Sequence, residues 1–285
     1  MTQPNFRFAH VLDHEVHVTE WGDPANPAIV CWHGLVRTGR DFDELAAALS
    51  EKYFVLCPDT IGRGLSSWSS DPEAEYTLEY YAGIATDLMD YYGLERVGWI
   101  GTSMGAMIGM RLASGPHADR LDWLIINDIG PEVPDAALRR IVAYASEGPV
   151  FQSVTEAEKW FRAAYVPFGE NSDAFWTRMT RTSLRRRGDG LFTTHYDPAL
   201  IAALPMPLAI GAGPWERWEK IDLPVHLIYG ADSDLISAEV VARMAGSGPK
   251  PGVTCVAATG HAPTLSQPEQ IARVKEVIER LAAKG

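Results

Sequence analysis

The chain has 285 residues, of which 46% are hydrophobic and 22% charged, a balance that excludes disordered and fibrous classes. Lys plus Arg number 25 against 37 Asp plus Glu, a net charge of −12, which repels phosphate backbones and anionic lipid headgroups. No apolar run approaches the roughly 18 residues of a membrane span, and the first fifteen residues lack the apolar stretch of a secretory signal, so a cytoplasmic location is expected with neither nucleic acid nor membrane as partner.

The chain opens with two loosely alternating segments, Phe6 to Ala9 and Val11 to Val18, which read as an antiparallel hairpin at a sheet edge. Continuous apolar runs follow at Ala28–Trp32, Tyr53–Cys57, Val97–Ile100, Leu124–Ile126, Val225–Tyr229 and Val253–Val256. Such runs mark strands covered on both faces of a parallel sheet. Cys31, Cys57 and Cys255 lie inside them and read as buried thiols, neither a disulfide framework nor a metal site.

Helical periodicity fills the gaps. Phe42, Leu45 and Leu49 share a face, as do Leu78, Tyr81, Ala85, Leu88 and Tyr92. Ser266 and Glu269 have capping-box spacing ahead of a last helix carrying Ile271, Val274, Ile278 and Leu281. The strand–helix alternation predicts an α/β protein with a doubly wound sheet. It lapses from about Pro131 to Asp222, where the text turns helical and aromatic without a clear strand. The expected division is a core of residues 1–130 and 223–285 with a helical cap, 131–222, over the carboxyl end of the sheet. Trp160, Phe161, Trp176 and Trp215 are its candidates for the pocket wall. Its basic cluster, Arg178, Arg181 and Arg185 to Arg187, reads as a solvated helix face.

Gly101-Thr102-Ser103-Met104-Gly105 has the G-x-S-x-G form of a nucleophile elbow, with a strand before it and a helix after it. A strand-to-helix turn this tight requires small residues two before and two after the serine, here Gly101 and Gly105. It exposes the hydroxyl and aims a helix N-terminus at developing negative charge. A base for Ser103 is expected in His261, set in the rigid Gly260-His261-Ala262-Pro263 loop after the last strand. The other histidines fit less well: His10, His14 and His17 lie in the hairpin, His117 and His195 fall away from strand ends, and His226 is inside a strand.

The orienting carboxylate has three candidates: Asp234 and Asp232 after the Val225–Tyr229 strand, and Asp128 after Leu124–Ile126. All three lie between Ser103 and His261, the chain order given for this elbow, and Asp234 is placed first. The oxyanion hole is expected from the backbone N–H of Met104 and of Leu35, with Gly34 permitting close approach. His33 is expected to pin that loop.

These landmarks, together with Asp59, Gly62-Arg63-Gly64-Leu65-Ser66 and Gly230, resemble the α/β-hydrolase superfamily over essentially the whole chain. The resemblance implies an eight-stranded, mostly parallel sheet with helices on both faces, a helical cap, and hydrolysis through an acyl-enzyme with no cofactor and no metal. The segment Ser233-Asp234-Leu235-Ile236-Ser237 resembles a subgroup in which that Asp is the acid. One departure is that many members place the acid where Ser233 stands.

A serine nucleophile sets the chain apart from the dehalogenases and epoxide hydrolases of this fold, which use Asp, and from dienelactone hydrolases, which use Cys. The loop Leu35-Val36-Arg37-Thr38-Gly39 lacks the glycines typical of C–C bond hydrolases. The expected function is therefore hydrolysis of a small or medium carboxylic ester by a monomer or homodimer. A C–C bond hydrolase or lactonase with the same triad, and a non-catalytic small-molecule receptor, are the alternatives.

Overall fold

The computed structural model describes residues 3–146, 148–202 and 213–283; the remaining residues of the expected core and insertion lie outside it. Eight strands form one sheet in the order β1-β2-β4-β3-β5-β6-β10-β11. The hairpin strands β1 (Asn5–Val11) and β2 (His14–Trp21) pair antiparallel, and β2 pairs antiparallel with β4 (Phe54–Pro58). From there β3 (Ala28–Trp32), β5 (Val97–Thr102), β6 (Leu121–Asn127), β10 (Val225–Gly230) and β11 (Gly252–Val256) run parallel.

Continuous apolar runs become central strands because both sheet faces are covered. Along β3, Val30 and Trp32 join one hydrophobic cluster while Ile29 and Cys31 join the other. The helices α1 (Asp43–Leu49), α3 (Leu78–Tyr91) and α4 (Met104–Ala113) divide between the faces, while the short α2 (Pro72–Glu75) buries none of its residues. Leu45 and Leu49 of α1 lie in the second cluster; Ile84 and Leu88 of α3 and Ile108 of α4 lie in the first.

Between β6 and β10 the chain leaves the sheet. It forms α5 (Asp135–Ser146), α6 (Val154–Ala164), α7 (Asp173–Thr182), α8 (Ala199–Ala202) and α9 (Pro214–Glu219). A three-stranded antiparallel sheet accompanies them: β7 (Val150–Phe151), β9 (Phe192–Thr194) and β8 (Leu184–Arg186), with β9 in the middle. Strands of two and three residues are too short to show periodicity, which is why the sequence reads as helix there. The basic cluster is correspondingly divided, with Arg178 and Arg181 on α7 and the later arginines beyond its end. Arg185 and Arg186 lie on β8, against Trp68 and Phe192, and Arg178 of α7 pairs with Glu44 of α1 at 2.8 Å.

After β10 come α10 (Ala238–Gly246) and α11 (Pro268–Ala282), the latter contributing Val274, Val277, Ile278 and Leu281 to the second cluster. Two local expectations fail near this end. The last helix has Gln267 at its N-cap and Pro268 first, and Ser266 hydrogen-bonds Thr264 instead of forming a capping box. Cys255 is exposed because β11 is the sheet's last strand, whereas Cys31 and Cys57 are buried as expected.

Candidate active site

β5 ends directly in the turn at Ser103, which holds φ 52° and ψ −113° at the start of α4. The flanking glycines are sterically required. A Cβ on Gly101 would lie 2.3 Å from the Ala106 nitrogen, and one on Gly105 would lie 2.0 Å from the Trp32 carbonyl oxygen. Strand, turn and helix are thus too close for any side chain at either position. Gly34 differs: a Cβ there would meet Ser103 Cβ at 3.7 Å, an ordinary contact, so close backbone approach does not demand glycine at that residue.

His261 lies in the loop after β11, with Nε2 3.1 Å from Ser103 Oγ. The loop is fixed from two sides. Asn127 at the end of β6 donates to the Pro263 carbonyl at 2.8 Å, and the Gly260 N–H donates to the Pro167 carbonyl of the insertion at 2.7 Å.

The carboxylate facing His261 Nδ1 is Asp128, at 2.8 Å. This corrects the preference for Asp234. Asp128 is fully buried, and its carboxylate also accepts from the Gly230 N–H at 2.9 Å and from the Ser233 hydroxyl at 2.8 Å. Asp234 points away and makes a two-pronged pair with Arg140 of α5 at 2.7 and 2.8 Å. That pair holds the Asp234 carboxyl below its usual range despite a partial burial that opposes ionisation. Asp232 is exposed. The departure noted in the sequence explains itself: Ser233, standing where an acid is often found, hydrogen-bonds the carboxylate that β6 supplies instead.

The N–H groups of Leu35 and Met104 have no acceptor among the described residues. Leu35 is anchored by its carbonyl, which accepts from Arg63 Nε at 2.8 Å, while Arg63 Nη2 reaches Met104 Sδ at 3.4 Å. One fully buried guanidinium therefore touches both residues expected to supply the oxyanion N–H groups. His33 pins the same loop: Nδ1 donates to the Gly34 carbonyl at 2.7 Å and Nε2 accepts the Thr60 N–H at 2.9 Å.

Two cavities meet at Ser103. One is lined by His261, Phe42, Arg37, Arg140 and the insertion's Tyr144, Tyr165, Phe168 and Phe175. The other is largely apolar, with Met104, Met107, Ile129, Val133, Leu138 and Leu235 in its wall. None of the four aromatics expected in the wall lines either one. Phe161 and Trp176 are buried in the insertion's own core with Trp160 packed against it, and Trp215 joins the main core, its indole N–H donating to Glu132. Helix-spaced aromatics serve the insertion's interior first because a segment of that size needs one. No cluster of three or more metal-ligating side chains occurs among the described residues, and no described helix is long and apolar enough to cross a membrane.

A hydroxyl on a strand-to-helix turn, an imidazole and a buried carboxylate in series, on a mostly parallel eight-stranded sheet, define an α/β-hydrolase. Residues 29–274 match the alpha/beta hydrolase family, and the chain belongs to it. It is 40% identical over 270 residues to a 3-hydroxybutyrate-oligomer hydrolase of Cupriavidus necator, covering 91% of each chain. It is 25% identical to 3-oxoadipate enol-lactonase 2 of Acinetobacter baylyi, covering 80% of each. Among solved structures, an alpha/beta hydrolase from Novosphingobium aromaticivorans superimposes with a TM-score of 0.86 at 30% identity, covering 98% of this chain and 99% of that one.

Proposed function

We propose that this hydrolase cleaves carboxylic ester bonds through an acyl-enzyme, with short linear oligoesters of a hydroxy acid as its substrate class. The observation that carries the reading is the series Ser103 Oγ, His261 Nε2 and Nδ1, Asp128 Oδ2, with links of 3.1 and 2.8 Å. Neutral His261 takes the Ser103 proton as Oγ bonds to the ester carbon. The carbonyl oxygen gathers negative charge at the N–H groups of Leu35 and Met104. The intermediate then collapses, the C–O bond to the alcohol breaks, and His261 returns the proton to that alcohol. Water repeats the sequence on the acyl-enzyme and frees the acid. Asp128 holds the imidazole with Nδ1 protonated, and the segment 131–222 acts as a cap that excludes bulk water.

The oligoester class is supported by the Cupriavidus necator relative, whose similarity spans nine-tenths of both chains. Two cavities flanking one serine also suit the two sides of an ester bond. The test is Ser103→Ala, which should lower kcat on p-nitrophenyl butyrate and on a 3-hydroxybutyrate trimer by about 10⁴-fold or more. It should also abolish labelling by a fluorophosphonate probe while the protein stays folded. Equal labelling of both proteins overturns the mechanism.

A further inference from the structure

The cavity wall holding Ser103 and His261 also contains two arginines, Arg37 and Arg140, and no lysine among the described residues. Arg37 is 6% exposed and sits in the loop that carries Leu35. Asp41 occupies one edge of its guanidinium, accepting from Nε at 2.8 Å and Nη2 at 2.6 Å. The Tyr165 ring covers a face, 5.1 Å from Cζ. The Tyr165 hydroxyl also interacts with the guanidinium, but Nη1 is buried and makes no hydrogen bond of normal geometry to a described residue. Burial works against the charge of Arg37, but Asp41 outweighs it and the group stays protonated.

An unmatched buried donor of this kind costs on the order of 1–3 kcal/mol, more when it is charged. A ligand carboxylate is the acceptor that best repairs it, through a charge-assisted hydrogen bond. The residue is also close to the chemistry. The position a Gly34 Cβ would take lies 3.7 Å from Ser103 Cβ and 3.8 Å from Arg37 Cγ, so both side chains flank one glycine. Arg140, on α5 at the cavity's edge and 42% exposed in its side chain, adds a second cation held in place by Asp234. The cavity on the other side of Ser103 is largely apolar, and its arginines differ from Arg37. Arg63 spends its donors on Leu35, Ile61, Tyr81 and Met104, and Arg111 pairs with Glu79. Neither these nor Arg217 leaves a buried N–H without an acceptor among the described residues.

We infer that the substrate's free carboxylate binds at Arg37, with Arg140 at the rim, so that the enzyme removes hydroxy-acid units one at a time from the carboxyl end. The inference rests on the ester-hydrolase reading above. In a linear oligoester of a hydroxy acid the carboxylate belongs to the terminal unit, which leaves as the alcohol. The bond that forms is Ser103 Oγ to the penultimate carbonyl carbon. The bond that breaks joins that carbon to the terminal unit's oxygen, which receives the Ser103 proton through His261. Water then releases the shortened chain as a new carboxylic acid. The remaining chain extends into the apolar cavity.

The test compares the 3-hydroxybutyrate trimer as free acid with the same trimer capped as its terminal amide, which removes the charge without adding an ester. In wild type, kcat/KM for the acid should exceed that for the amide by tenfold or more. With a trimer isotopically labelled in its hydroxyl-terminal unit, the label should appear first in the dimer; label appearing first in the monomer overturns the direction of attack. Arg37→Gln should bring the ratio towards one, chiefly through KM, and Arg37→Lys should restore part of it. Arg37→Gln/Asp41→Asn repeats the measurement without leaving the Asp41 carboxylate unpaired. A wild-type ratio near one, or a ratio unchanged in all three variants, overturns the inference and leaves the ester-hydrolase reading standing. If wild type turns over neither trimer nor p-nitrophenyl butyrate, that reading fails instead, and calorimetry with 3-hydroxybutyrate reads the Arg37 site directly. Binding weakened at least tenfold by both Gln-containing variants supports the site, and absent or equal binding removes it.

Discussion

Ser103, with φ 52°, and Asp128, with φ 60°, both occupy a backbone region that non-glycine residues seldom adopt. Each is the point where a central parallel strand ends, so the strain falls on the two residues that face His261 from the sheet. His33, next to them, shows a different constraint, since burial holds its pKa down at about 4 against an ordinary value of 6.5. Between those values the unfolded chain binds a proton that the native state refuses, so native stability falls as pH drops from about 6.5 towards 4. A shift of this size corresponds to roughly 3 kcal/mol. His33→Gln keeps an acceptor for the Thr60 N–H and removes the titration. Urea unfolding at pH 7.5 and 4.5 should show a loss on acidification smaller by about 2–3 kcal/mol in the variant than in wild type. Identical losses would show that His33 does not titrate in this window.

At the scale of elements, the sheet was legible in the sequence because its central strands are buried on both faces and read as unbroken apolar runs. The elbow was legible too, since Gly101 and Gly105 answer to contacts of 2.3 and 2.0 Å that no side chain survives. The acid was harder. A carboxylate at the end of β6 and one after the end of β10 can reach the same imidazole, because β6 and β10 are neighbouring parallel strands. Chain order alone does not separate them. Ser233 was the signal: a hydroxyl at the usual acid position implies a partner nearby, and it donates to Asp128 at 2.8 Å. Arg37 was equally visible in the loop after His33-Gly34, but nothing local shows that its guanidinium is buried beside the serine.

The relation between Asp128 and Ser233 leads to a swap experiment. Asp128→Asn should cost about 10⁴-fold in kcat by favouring the wrong imidazole tautomer, whereas Asp234→Asn should cost far less because its partner is Arg140. Asp128→Ala vacates the space beside Ser233. Adding Ser233→Asp in that background should recover at least tenfold of the lost activity by bringing a carboxylate to His261 from the end of β10. A dead double variant that is folded would mean the β6 position cannot be replaced.

Across the whole molecule, the proposed reacting groups and the walls around them come from different parts of the chain. Ser103, His261 and Asp128 stand on strand ends and loops of the main sheet, while Tyr144, Tyr165, Phe168 and Phe175 come from the excursion between β6 and β10. That excursion has its own core, in which Phe161 is 1% exposed and stacks on Tyr165 with ring centres 5.9 Å apart. Tyr165 in turn covers the Arg37 guanidinium. Removing the Phe161 ring therefore acts at two distances. Phe161→Ala should destabilise the protein by about 3–5 kcal/mol, as large-to-small changes of buried aromatics do. It should also loosen Tyr165 and raise KM for the oligoester several-fold, with kcat within about threefold of wild type, since no group of the Ser103–His261–Asp128 series touches Phe161. A collapse of kcat at unchanged KM, in protein shown to be folded at the assay temperature, would instead mean that the excursion's core sets the geometry of the triad itself. The Gly260 to Pro167 hydrogen bond is the contact through which it would do so.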